Sequence, residues 1–213
     1  MKNIAIIGAG GFGREVKTIL DSINKITPTY KFIGFYDDGF KVGEIVNNYP
    51  ILGSVKDINN ISESCCMVMA IANPQIKQAN LNKINNKYVA FPNIIHPSVA
   101  ISDDFVEIGV GNIICAACII TCNIVIKDFV ILNLMCTVGH DTIISSFASF
   151  MPSVNISGEV LIQERVYVGT GAKIINQLEI GRDTIVGAGA VVSKSLPENC
   201  TAVGIPAKPI KFH

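Results

Sequence analysis

Residues 108–192 read IGVGNI-ICAACI-ITCNIV-IKDFVI-LNLMCT-VGHDTI-ISSFAS-FMPSVN-ISGEVL-IQERVY-VGTGAK-IINQLE-IGRDTI-VGAGAV-V. The first letter of every hexad is apolar: Ile108, Ile114, Ile120, Ile126, Leu132, Val138, Ile144, Phe150, Ile156, Ile162, Val168, Ile174, Ile180, Val186 and Val192. A chain that is 49% hydrophobic would lose such a register by chance within a few steps. Two residues before each of these stand mostly small or β-branched side chains, among them Cys118, Val130, Cys136, Thr142, Ala148, Val154, Val160, Ala172, Thr184 and Ala190. Two inward positions two residues apart are what one short strand offers to one face. The remaining residues of each hexad must turn a corner. Glycine is frequent there, at Gly109, Gly139, Gly169, Gly181 and Gly187, and it tolerates unusual backbone angles. A period of six matches no α-helical face. The pattern therefore predicts a left-handed parallel β-helix, with three hexads per triangular coil and coils stacked through parallel hydrogen bonds.

Eighteen residues per coil gives the repeat a second use, because residues eighteen apart stack. Cys115, Cys118 and Cys122 have a spacing suggestive of metal, but Cys118 is an inward position with Cys136 stacked on it, and Cys115 and Cys122 fall at diverging offsets. Small core hydrophobes account for the pair, and no metal site is expected. His140 follows inward Val138 by two residues and should project from a corner, with Asp141 beside it. Gly158 stacks on His140, leaving room beside the imidazole. Histidine is the natural general base near neutral pH, and a glycine amide is the kind of donor that an acyl-transfer oxyanion needs.

The N-terminal part is different in kind. Lys2–Ile7 reads as a strand, followed by Gly8-Ala9-Gly10-Gly11-Phe12-Gly13 and a helical run over Arg14–Asp21. Strand, glycine turn and helix form the context in which backbone amides approach a phosphate. A second strand, Phe32–Tyr36, ends in Asp37-Asp38, an acidic pair able to accept hydrogen bonds from a ribose or base. A third strand is expected at Met67–Ala72, then Asn73-Pro74 and a helix over Gln75–Asn85. The division is a Rossmann-like βαβ domain over residues 1–90 and the β-helix with a C-terminal cap over 91–213. A dinucleotide fold needs two such halves, and the N-terminal part supplies one, which disfavours an NAD-dependent dehydrogenase. A nucleotide-sugar fits the available length better.

Bulk composition narrows the classes further. The formal net charge is zero, which offers no electrostatic footprint for nucleic acid or an anionic membrane. The apolar start runs straight into glycines where a signal peptide would continue. Seven cysteines without a secretion signal suggest free thiols in a reducing cytoplasm. His96 before Pro97 reads as a structural or interdomain contact. The tail, Gly204-Ile205-Pro206-Ala207-Lys208-Pro209, reads as an extended cap, with Lys208 free to meet an anion.

Taken together, the glycine turn, Asp37-Asp38, Ala70-Ile71-Ala72-Asn73-Pro74, Asn93-Ile94-Ile95-His96-Pro97-Ser98, the hexad array, Gly139-His140-Asp141 and Val203–Lys208 occur in an order that resembles the bacterial sugar O- and N-acyltransferases of the sialic-acid O-acetyltransferase type. That group includes the UDP-4-amino-sugar N-acetyltransferases. The resemblance implies a homotrimer with acetyl-CoA lying along the β-helix between subunits. It implies a nucleotide-sugar, UDP-linked, held by Gly8, Gly10, Gly11, Phe12, Asp37, Asp38 and Asn73. The catalytic histidine of the family maps to His140, its acidic neighbour to Asp141 and the glycine near the acetyl group to Gly158. Gly171, Gly187 and Ala188 would line the CoA channel, with Ser149 and Lys208 as further contacts. Two positions depart from the usual pattern. Phe12 and Ser149, the latter expected on an outward corner, stand where many members have histidine. The implied reaction is acetyl transfer from acetyl-CoA to an amine or hydroxyl of the activated sugar. The alternatives are sialic-acid-type O-acetylation and a non-catalytic nucleotide-sugar-binding β-helix.

Overall fold

The computed structural model describes all 213 residues. The N-terminal domain is built from β1 (Lys2–Ile7), α1 (Gly11–Ile26), β2 (Tyr30–Tyr36), β3 (Ile45–Val46), β4 (Tyr49–Gly53), a 3-10 turn (Val55–Asn60), β5 (Cys65–Met69), α2 (Pro74–Leu81) and β6 (Val89–Ala90). The sheet order is β3-β4-β2-β1-β5-β6. All neighbours are parallel except the short β3–β4 hairpin. Central β1 is covered on both faces, so Ile4, Ala5, Ile6 and Ile7 are all fully buried, as expected of an unbroken apolar run in a parallel sheet. Helix α1 lays Val16, Ile19 and Leu20 on one face. It runs further than the sequence predicts at both ends, whereas α2 stops at Leu81, well before Asn85. The asparagines from Asn80 onward explain that early stop, because their side chains compete for backbone hydrogen bonds. The third strand also begins and ends earlier than predicted.

The second unit is the parallel β-helix. Strands pair eighteen residues on, as Ile113↔Ile131 and Ile131↔Ser149 show. A first face carries the strands at Ile113, Ile131, Ser149, Tyr167 and Ile185. A second carries those at Ile119, Thr137, Asn155, Lys173 and Val191, and a third those at Val125, Ile143, Leu161 and Glu179. Every hexad position from Ile114 to Val192 is buried. The helix starts one coil before the six-residue register does. Ile94–Ile95 pairs with Ile113–Ile114, and Ala100–Ile101 pairs with Ile119–Ile120. Nineteen residues separate those partners, whereas Val106 pairs with Ile124 at the normal eighteen, so one extra residue between Ile101 and Val106 hides this first coil from a strict count.

The corner glycines work differently from the sequence expectation. The left-handed backbone position falls three residues after each inward residue. It is filled by Ala117, Met135, Asp141, Phe147, Glu159 and Arg165, among others, and by glycine only at Gly111, Gly171 and Gly189. The glycines at 139, 169 and 181 are needed for space. A Cβ would stand 2.6 Å from the Ser157 carbonyl carbon at Gly139, 2.6 Å from Ala188 N at Gly169 and 2.4 Å from Glu198 N at Gly181. At these positions the coils approach too closely for any side chain.

The N-terminal domain packs on the first face and on the edge beyond the third. Outward-facing Ile113 and Ile131 are buried beneath it. Phe91, Phe129 and Phe147 form a column, with ring centroids 5.3 and 5.6 Å apart. Arg165 holds Asp183 with two bonds of 2.7 Å, while α2 reaches the same pair through Gln75 and Gln78. At the far end, Cys200–Gly204 continues the first face and pairs antiparallel with Ala207–Phe212. This last strand is an edge strand, which is where Pro209 is tolerated. No helix is long and apolar enough to cross a membrane.

Candidate active site

His140 and Asp141 stand at the corner joining the second face to the third. The left-handed backbone at Asp141, φ 58°, turns its carboxylate back towards the preceding side chain. His140 Nδ1 and Asp141 Oδ2 are 2.7 Å apart. Both side chains are about half exposed, at 56% and 48%. Asp141 also accepts from Asn123, 3.1 Å away on the coil below. The hydrogen bond from His140, followed by that from Asn123, holds the Asp141 carboxyl below its ordinary value. With Nδ1 donating to Asp141, Nε2 carries the lone pair. The imidazole lies over Gly158, where an added Cβ would stand 2.5 Å from both Cε1 and Nε2. The Gly158 amide has no acceptor within the chain. The stacking of positions 140 and 158 therefore brings an imidazole, a carboxylate bonded to it and a free backbone donor together.

The glycine turn forms a second centre. Gly8 adopts φ 101°, and a Cβ there would press 2.9 Å from Ala70 O. Gly13 sits so close to the turn that a Cβ would overlap Gly8 O at 1.9 Å. By contrast, Gly10 has nothing within 4 Å and Gly11 meets only the end of Arg14, at 4.0 Å. Both are open to a ligand. Phe12 is half-buried and packs partly into the domain core. A cavity of about 310 Å³ lies alongside, lined in part by Gly8, Asp37, Asp38, Ile76, Asn80 and Lys83. The two aspartates already have partners. Asp37 accepts from Ala9 N–H at 2.7 Å and Gly39 N–H at 2.8 Å. Asp38 accepts from Val55 N–H at 2.8 Å and Lys83 at 3.3 Å, and the Val55 bond leads in holding its carboxyl below the ordinary value. Asn73 caps α2 by accepting from Ile76 N–H at 2.9 Å and is not among the residues lining this cavity. Asn80 and Lys83 escape a sequence reading because they belong to a polar stretch with no motif.

The residues implied for CoA do not join His140 within one chain. Gly171, Gly187 and Ala188 lie at the corner between the first and second faces, at the opposite ends of the second-face strands from His140 and Gly158. Gly171 and Ala188 are accessible, while Gly187 is partly covered by Val203, whose Cγ1 would be 2.7 Å from an added Cβ. Lys208 is exposed on the edge strand nearby. Ser149 requires a correction. It is neither at a corner nor exposed: it lies within a first-face strand and is completely buried. Helix α2 covers it there, and Lys77 Nζ donates to its hydroxyl at 2.9 Å. Sequence reasoning missed Lys77 because a lone lysine on a short polar helix looks like a solvated one.

The cysteines follow the repeat. All seven are free thiols. Cys118 and Cys136 are stacked in the core and donate to Asn133 O at 3.0 Å and Met151 O at 3.3 Å. Burial pushes the Cys115 thiol up to about 12, which makes it a poor thiolate. No three His, Cys, Asp or Glu side chains converge as a metal site would require. His96 bonds to Ser98 at 2.8 Å within its own turn.

The family model described as "PglD N-terminal domain" matches residues 3–84. GDP-perosamine N-acetyltransferase of Escherichia coli O157:H7 is 32% identical over 217 aligned positions, covering 99% of this chain and 97% of that protein. Among solved structures, the acetyltransferase domain of PglB from Neisseria gonorrhoeae, in complex with acetyl coenzyme A, superposes with a TM-score of 0.88 at 32% identity. It covers 98% of this chain and 99% of its own. PerB from Caulobacter crescentus, in complex with CoA and GDP-perosamine, gives a TM-score of 0.85 at 28% identity, covering 99% and 98%.

Proposed function

From the premise that the chain belongs to the PglD-type family of nucleotide-sugar N-acetyltransferases, we propose that His140 is the general base of an acetyl transfer from acetyl-CoA to the amine of a nucleotide-activated amino sugar. One observation carries the assignment: an imidazole oriented by Asp141 through Nδ1, at 2.7 Å, lies directly over a glycine whose amide is free. His140 Nε2 takes the proton as the sugar amine attacks the thioester carbonyl. The carbon–nitrogen bond forms, the carbon–sulfur bond breaks, and CoA leaves as the thiol. Asp141 stabilises the imidazolium that results. Gly158 N–H meets the oxygen of the tetrahedral intermediate. The transfer is direct, from thioester to amine, with no covalent enzyme intermediate.

The nucleotide end of the substrate belongs at the glycine turn. The open backbone at Gly10 and Gly11 and the start of α1 suit a diphosphate. The cavity beside Asp38, Asn80 and Lys83 suits the nucleoside. CoA belongs along the edge marked by Gly171, Gly187 and Ala188, with Lys208 near its phosphates. That edge and His140 are at opposite ends of one face, so a site that uses both is completed by a neighbouring copy, as in a homotrimer. Both GDP-linked and UDP-linked 4-amino sugars belong in the substrate panel, since full-length relatives include a GDP-perosamine enzyme. The test is CoA-thiol release with each sugar. His140→Ala should lower kcat by about 10²–10⁴-fold with little change in acetyl-CoA affinity. Full activity of this variant at saturating substrate would remove His140 as the base.

A further inference from the structure

Lys77 is the least expected residue in the molecule. It is 1% exposed, and its Nζ reaches Ser149 Oγ at 2.9 Å and Ala148 O at 3.4 Å. It forms no ion pair. A buried amine without a carboxylate is a costly choice if only adhesion between two surfaces is needed, because an apolar side chain of similar volume serves better. What an amine adds is direction, since it must meet its acceptors at bonding distance and angle. Here both acceptors are neighbours at the start of one first-face strand of the β-helix, a rigid element.

The helix that carries Lys77 also forms part of the nucleotide cavity. Ile76 and Asn80 of α2 line it, and Lys83 follows just beyond. Gln75 and Gln78, on either side of Lys77, bond to Asp183 and Arg165 of the β-helix. One short helix is therefore both cavity wall and clamp. The clamp also fixes a height. Ser149 lies nine residues after His140, half a coil along the axis, or about 2.4 Å at normal strand spacing. In a symmetric assembly with parallel axes, that offset is the same for a neighbour's His140.

Resting on the function proposed above, we infer that Lys77, with Ser149, is a positioning residue for the transfer. It sets the height of the nucleotide-sugar cavity against the coil that carries the base. A displacement of about 1 Å is enough to cost on the order of 100-fold in rate, so the pair acts on kcat and leaves the nucleotide's own contacts intact.

The experiment compares wild type with Lys77→Met, which keeps the stem and removes the amine, and with Ser149→Ala. UDP and GDP affinity is measured by calorimetry, and kcat and KM by CoA release from the best sugar. Expected are unchanged nucleoside diphosphate affinity, unchanged KM for acetyl-CoA and kcat lowered by about 10–100-fold in both variants. The double variant should be no worse than the weaker single one, as for residues acting as a unit. Hydrogen exchange confirms that α2 remains folded. The inference is overturned if kcat stays within twofold in the folded variants. It is also overturned if kcat falls only in step with nucleotide affinity or folded fraction, or if the two losses multiply. Wild-type protein that acetylates no amino sugar would sink the function reading itself, and this inference with it. Turnover by wild type and equal turnover by Lys77→Met would sink this inference alone.

Discussion

Gly158 owes its place to one neighbour. A methyl group there would stand 2.5 Å from two atoms of the His140 ring, so the half-exposed imidazole would swing away. Gly158→Ala should therefore lose about 100-fold in kcat with a melting temperature close to wild type. Steady-state kinetics and thermal melting check this, and a fully active Gly158→Ala would show that the ring need not lie where it does. Lys77 makes a separate prediction about pH. Burial holds its amine well below the ordinary 10.5. Between the folded and unfolded values the unfolded chain binds more protons, so this residue's contribution makes stability rise with pH and fall as pH drops through that window. Lys77→Met lacks the effect. Wild type should thus gain on the variant in urea midpoint as pH rises towards the ordinary lysine value. A gap that stays constant over that range would mean that the amine has the same protonation in both states.

At the scale of elements, the repeat was legible because one physical demand recurs every six residues. The inward strand position admits only apolar side chains, and all but the outermost such residue are fully buried. The first coil lies within the predicted 91–213 domain but outside the hexad count, because the extra residue between Ile101 and Val106 breaks the register, although its strands pair normally. The β3–β4 hairpin and the 3-10 turn were also missed, being too short to show a period. The contact between His140 and Gly158 was legible through stacking, which needs only the coil length. The opposite holds for Asn80, Lys83 and Lys77, whose role depends on α2 lying between two domains, a tertiary fact with no local signature. The glycine turn shows how close the reading came. Gly13→Ala would place a Cβ 1.9 Å from Gly8 O and must push α1 off β1, an overpacking cost of about 1–3 kcal/mol or more. Gly10→Ala meets nothing within 4 Å. The first should lower the melting temperature by several degrees, while the second should leave it unchanged and weaken only nucleoside diphosphate binding. Equal melting of the two variants would contradict the packing described for the turn.

At the scale of the whole molecule, the proposed base and the proposed CoA edge lie on different edges of a rigid prism. His140 and Gly158 lie at one end of the second face, and Gly171, Gly187 and Ala188 at the other. A β-helix does not bend to bring its own edges together. The third face beside His140 also carries an apolar ridge of Val125, Ile143 and Leu161, with Ile143 44% exposed, which suits burial against another copy. These features make a ring of copies the natural way to complete the site. Subunit mixing tests it directly. His140→Ala lacks the base but keeps the CoA edge, whereas Ala188→Trp keeps the base and blocks that edge. Each alone should be nearly inactive. Denatured together in equal amounts and reassembled, they pair an intact base with an intact edge at about one interface in four, from random mixing around a ring. Activity should therefore recover to roughly a quarter of the wild-type value. A site contained within one chain would recover nothing, because every chain in the mixture carries a lesion.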